Sequence, residues 1–156
     1  MFTQILVPLD GSELAGKALP VAQELGRTSN ATIHLIQVVS RQPELEAVRG
    51  TDSPQIAEYQ MDAARQLVEG RITQAKAYLE QTGSTLRSAG VETNPEYTVD
   101  EGDAAERIVD YAKAHSIDLV VMSTHGYGGV RRLLLGSVTD RVIRSCLVPV
   151  LVVPCS

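Results

Sequence analysis

The sequence predicts a doubly wound α/β protein, a parallel sheet with helices on both faces. Three observations carry this. Short apolar runs alternate along the chain with segments of helical period, the pattern of successive βαβ units. The run Leu119-Val-Val-Met122 is continuous rather than alternating, as in a strand buried on both faces. Glycine-bearing turns follow two of the runs just where helices begin, at Asp10-Gly-Ser12 and between Gly126 and Gly136-Ser137.

In chain order, Gln4 to Leu9 reads as the first strand. Ser12 is the expected N-cap of a helix in which Leu14, Ala18, Val21, Ala22 and Leu25 recur at helical spacing. Pro20 should bend that helix or open one of its hydrogen bonds, and Gly26 is its expected C-cap. Ala31 to Val39 is the second strand. Ser40 to Pro54 is polar without a period and reads as a loop. Ser53-Pro54 opens a long helix, with Ile56, Ala64, Leu67, Val68, Ile72, Ala75, Leu79 and Leu86 on one face and its end near Gly90. Gly70 and Gly83 weaken it internally. Val91 to Val99 is a third strand, and Pro95 places it at a sheet edge. Asp103 to His115 is a helix with Ala104, Ile108, Tyr111 and Ala112 toward the core. The Asp118 run is the fourth strand, Ser137 to about Ser145 the last helix with Ser137 as N-cap, and Val148 to Val153 the fifth strand. A flavodoxin-like order sets the first strand at the centre, the second and third on one side and the fourth and fifth on the other. Pro8-Leu9-Asp10 and Met122 to Gly126 then converge at the switch point, where open α/β sheets bind ligands.

Composition narrows the function classes. The 156 residues fit one domain spanning 1–156, and 44% hydrophobic with 21% charged residues is a globular balance. A net charge of −5 argues against a general nucleic-acid binder. No apolar run approaches the roughly 20 residues of a membrane span, and the amino terminus shows no signal-peptide pattern. Cys146 and Cys155 lack metal-ligand spacing and read as reduced thiols of a cytoplasmic protein. One phenylalanine and no tryptophan leave an aliphatic core.

Strand, glycine-rich loop and helix start from Asp118 to Asp140 form a phosphate-binding layout: backbone approaches closely, and N–H groups of a first helical turn point at the anion. Asp10 either accepts hydrogen bonds from ribose hydroxyls or simply shapes the turn before its helix. His125 has no evident partner for base catalysis, and His34 and His115 are isolated in sequence; a backbone-shaping or phosphate-neighbouring role suits His125 better. Arg131 and Arg132 suit either phosphate charge or solvent. No Walker-type Gly-Lys-Ser/Thr, complete dinucleotide fingerprint or Ser-His-Asp arrangement is visible.

Gly126, nine intervening residues and Gly136-Ser137 resemble the second half of the nucleotide signature of the universal stress protein family. Ser123 stands at the signature's first glycine, and Tyr127 where the family often has a basic residue. Ile5-Leu-Val-Pro-Leu-Asp-Gly-Ser12 and Val148-Pro-Val-Leu-Val-Val153 resemble the family as well, so the likeness spans the chain. It implies strand order 3-2-1-4-5 and an ATP site, with ADP, AMP or a cyclic nucleotide not separable by contacts, and with Mg²⁺ accompanying the phosphates. Asp10 would lie at the ribose, with Pro8 beside it in the nucleotide site, Val38 and Met122 at adenine, and the backbones of Ser123, His125, Gly126, Gly136, Ser137, Val138 and Thr139 at the phosphates. The hydroxyls of Ser137 and Thr139 would add contacts. It also implies a homodimer through Val148, Val150, Leu151, Val152 and Val153, consistent with an apolar edge strand that something must cover. The expected protein is a regulatory, stress-responsive nucleotide binder with an unnamed protein partner. The alternatives are a slow ATPase or phosphotransferase and a nucleotide-independent dimeric scaffold, the latter favoured by Ser123 and Tyr127.

Overall fold

A computed structural model describes residues 1–49, 52–100, 103–124 and 135–155. Five parallel strands form one sheet: β1 (Gln4–Leu9), β2 (Thr32–Ser40), β3 (Thr93–Asp100), β4 (Leu119–Ser123) and β5 (Val150–Val153), in the order β3-β2-β1-β4-β5. The helices are α1 (Glu13–Gly16), α2 (Leu19–Ser29), α3 (Gln42–Arg49), α4 (Pro54–Ser88), α5 (Ala104–Ala114) and α6 (Ser137–Ser145).

Strand alternation divides the core in two. Ile5, Val7, Leu9, Ile33, Leu35, Leu119 and Val121 face α1, α2 and α4. Leu6, Ile36, Val120 and Met122 face α5 and α6. Both faces of β1 and β4 are covered, which is why their sequences are continuously apolar. In register, Ile5 lies beside Ile33 on one side and Leu119 on the other, so β1 is central. The chain leaves β1 toward β2 and later returns past it to β4, which sets the switch point between β1 and β4. Pro95 is in edge strand β3, as its missing N–H requires.

Several boundaries depart from expectation. The first helix is two pieces. Pro20 has no N–H to return to Gly16, so α1 ends in tight turns at Lys17 and Ala18 and α2 restarts with Pro20 in its first turn. Asn30, left-handed at φ 52°, caps α2 in place of Gly26. Gly26 is buried instead, because a Cβ there would come within 2.9 Å of Val91 and 3.0 Å of Ile33. Part of the expected loop is α3, which packs along α4. The 35 residues of α4 form one unbroken helix whose buried positions are Ala64, Val68, Ala75, Leu79, Gly83 and Leu86, whereas Ile56 and Leu67 are exposed. Gly90, at φ +81°, follows its end. The last strand starts at Val150 rather than Val148.

Candidate functional site

At the carboxyl end of β1, Gly11 turns the chain with φ +82°. The Asp10 Oδ1 accepts from the Ser12 N–H at 2.9 Å and from the Ser12 hydroxyl at 2.5 Å. Ser12 Oγ in turn accepts from the Ala15 N–H at 3.1 Å, so the expected cap of α1 is present. Asp10 therefore shapes the turn and, from the same position, faces the crevice beyond it.

The end of β4 is fastened to the start of α6. The buried Thr139 hydroxyl donates to the Ser123 carbonyl at 3.0 Å, and the Gly136 N–H donates to the Thr124 carbonyl at 2.6 Å. These bonds set where the helix begins. Gly136 takes the N-cap position, Ser137 is the first helical residue, and no side chain caps the helix, contrary to the cap expected at Ser137. The first intrahelical bond runs from the Asp140 N–H to the Gly136 carbonyl at 2.9 Å. The N–H groups of Ser137, Val138 and Thr139 precede it, and with the helix dipole they present positive potential to the crevice. The Thr139 donor is engaged by Ser123, so Thr139 is first a strut of the site.

A cavity of about 340 Å³ opens between these two ends. Pro8, Asp10, Val38, Met122, Ser123, Gly136, Ser137, Val138 and Thr139 all line it, so every described residue expected at the nucleotide does. His125 and Gly126, with Tyr127, Arg131 and Arg132, lie outside the described residues. Leu9, Ala15, Ile36, Ala104 and Ile108 complete the lining and were not anticipated. Ile36 was within reach of sequence reasoning, since it precedes Val38 by one strand period. Ala104 and Ile108, one helical turn apart, have only the signature of core positions in the sequence. The cavity is apolar at Ile36, Val38, Ile108 and Met122 and polar at Asp10 and the α6 terminus. That arrangement suits a flat apolar ring joined to a hydroxylated and anionic tail.

A wider cavity of about 580 Å³ adjoins it around the strand ends, sharing Asp10 and Val38. Arg71, Gln74 and Tyr78 of α4 line it together with Gln37, whose buried Oε1 has no hydrogen-bond partner. Among the described residues there is no cluster of three or more His, Cys, Asp or Glu able to hold a metal ion. None of their helices is long and apolar enough to cross a membrane.

Fold and crevice define an α/β protein with an anion-compatible site at its switch point. The chain belongs to the universal stress protein family, whose model matches residues 1–154. It is 31% identical over 153 residues to universal stress protein MJ0531 of Methanocaldococcus jannaschii, covering 98% of this chain and 82% of that one. It is 28% identical to universal stress protein YxiE of Bacillus subtilis, covering 98% and 99%. The solved structure of MJ0577 superposes with a TM-score of 0.78 at 28% identity, over 100% of this chain and 98% of that one. Two proteins of the same fold, each 21% identical, were solved with ligands. One is a universal stress protein with cAMP (TM-score 0.66, covering 99% and 98%). The other, from Archaeoglobus fulgidus, holds dAMP (TM-score 0.65, covering 97% and 97%).

Proposed function

We propose that this chain is a single-domain cytoplasmic stress protein, a regulatory homodimer that binds an adenine nucleotide, ATP with Mg²⁺, at the switch point. The observation that carries the reading is the convergence of Asp10, the end of β4 and the uncapped start of α6 on one cavity. Adenine lies against Val38 and Met122, with Pro8 and Asp10 at the ribose. The phosphates meet the backbone of Ser123 to Gly126 and of Gly136 to Thr139. Mg²⁺ is held chiefly by the phosphates and water, as is usual for this ion. The cAMP and dAMP held by two proteins of the same fold support an adenine ligand. Occupancy stabilises the folded chain by mass action and can bias a surface read by a protein partner.

The test has two parts. Denaturing the purified protein and resolving released small molecules by ion exchange, read at the adenine absorbance, identifies a retained nucleotide. ADP or AMP alone would favour the slow ATPase or phosphotransferase. Calorimetric titration with ATP and Mg²⁺ then compares the native chain with Gly136→Val, which adds a side chain to the cavity wall. We expect the variant to lose at least about tenfold in affinity, roughly 1.4 kcal/mol, with its melting transition little moved. Equal affinity would sink this site. No binding by either protein would leave the nucleotide-independent scaffold, the reading that the Cβ of Ser123 favours.

A further inference from the structure

His34 and His115, isolated in sequence, meet in space on the α5 side of the sheet. His34 is 6% exposed. Its Nε2 lies 2.7 Å from the Gln4 Oε1, and its Nδ1 lies 3.0 Å from the Tyr111 hydroxyl and 3.4 Å from the Asn94 Nδ2. With Gln4 presenting oxygen, the ring carries its proton on Nε2. Nδ1 is then the acceptor for the Tyr111 O–H and the Asn94 N–H. The Tyr111 ring stacks on His115 with centroids 3.8 Å apart, and His115 Nδ1 lies 3.0 Å from the Tyr111 carbonyl. Glu96 reaches His115 Nε2 at 3.9 Å and places its charge near the Tyr111 hydroxyl. The groups facing His34 are thus Gln4 from β1, Asn94 and Glu96 from β3, and Tyr111 and His115 from α5.

We infer that His34 and Tyr111 are positioning residues for the nucleotide crevice and make its closure sensitive to acid. The inference rests on the nucleotide reading above. On β2, His34, Ile36 and Val38 share one face, and Ile36 and Val38 are walls of the crevice. On α5, Tyr111, Ile108 and Ala104 follow one another at helical spacing, and Ile108 and Ala104 are walls too. The His34–Tyr111 bond therefore clamps together the two elements that enclose the adenine end.

Protonation turns Nδ1 from acceptor to donor, opposite two donors, in a place that excludes water. The Tyr111 hydroxyl must then turn its proton away from Nδ1. Burial already pushes the His34 pKa down, with the His115 charge adding to this and Glu96 opposing it. A lowered histidine pKa means that its contribution is complete above the ordinary value of 6.5 and is lost as pH falls toward the folded value. A nucleotide held against Ile36, Val38 and Ile108 needs α5 seated on β2. The seated state disfavours the imidazolium, so acid weakens binding.

Calorimetry with ATP and Mg²⁺ from about pH 8 to about pH 5.5, the interval in which histidine titrates, compares the native chain with His34→Gln. The phosphates titrate equally in both and cancel. Native affinity is expected to fall further than that of the variant, by up to about several-fold at the acid end, because a folded pKa below 6.5 leaves His34 only partly protonated there; the full factor of about ten per unit of pKa difference between bound and free protein holds only below both values. Tyr111→Phe lacks the clamp bond, so its affinity should already be lowered at about pH 8 and should fall less with acid than that of the native chain; this arm decides if His34→Gln does not fold. Parallel falls in the native chain and His34→Gln, or a native-like affinity and fall in Tyr111→Phe, overturn the inference. If no nucleotide binds at any pH, the nucleotide reading fails instead. Hydrogen exchange along α5 then decides: acid should quicken it in the native chain and not in His34→Gln, and equal rates overturn the clamp.

Discussion

At Asp118 one carboxylate joins the start of β4 to the start of β1. It accepts from the Thr3 N–H at 2.7 Å, the Thr3 hydroxyl at 2.8 Å and the Gln4 N–H at 3.1 Å, while its own N–H donates to the Gln4 carbonyl at 2.9 Å. Burial pushes its pKa up, but these donors outweigh burial and hold it below 3.8. A depressed carboxyl stabilises the fold above its unfolded pKa, and that contribution disappears as pH falls through the folded value. Asp118→Asn keeps the shape and sets an amide N–H against donors. It should cost about 1–2 kcal/mol at neutral pH, the low range for bonds to a charged acceptor in a partly solvated place. Urea unfolding of both proteins at neutral pH and at about pH 3 checks this. The gap should narrow in acid, and a gap that stays constant would mean that the charge is not its source. The partner of Asp118 lies 115 residues away, so nothing local in the sequence marks this role.

Among the elements, α2 shows how a correct residue can be given the wrong reason. The sequence places Gly26 at a helix end, but its side-chain-free surface is what lets α2 meet Val91 and Ile33. Gly26→Ala gains up to about 1 kcal/mol of helix propensity and loses about 1–3 kcal/mol by overpacking against branched side chains. The expected net is a lower melting temperature by calorimetry; an unchanged or raised one would mean that the contact relaxes freely. The strands were legible because a run buried on both faces or at an edge leaves a clear pattern, even to Pro95. Two helical features were not. The sequence of α3 is eight residues long and mostly polar, too short for a helical period to stand out, and the helix packs on α4. The 35 residues of α4 extend about 52 Å, against about 30 Å for the nine residues of β2, so the helix is longer than the strands it covers, and Ile56 and Leu67 are exposed. The candidate site divides the same way. Its β1, β4 and α6 walls lie in motifs whose turns have a mechanism, whereas Ala104 and Ile108 look like core until the fold turns them toward a cavity.

For the whole molecule the open question is how its sheet ends. Among the described residues β5 pairs only with β4, and it is four residues long with Leu151 exposed. The Val120 N–H donates to the Pro149 carbonyl and the Thr124 N–H to the Val153 carbonyl, each at 3.0 Å. Backbone groups alternate along a strand, so Pro149, Leu151 and Val153 turn toward β4, and Val150 and Val152 turn outward. Antiparallel pairing with β5 of a second copy would use those outward groups and cover an apolar edge. The same strand is bonded to Thr124, one residue past Ser123, so the proposed interface touches the rim of the crevice. Val152→Pro removes an outward N–H and leaves the inward ladder intact, and proline is tolerated on an edge strand. Light scattering should show the native chain at twice the monomer mass and Val152→Pro at the monomer mass, still with a cooperative thermal transition. A variant that keeps the dimer mass would place the interface elsewhere. A native chain that is already monomeric would leave β5 a short edge protected by its own length.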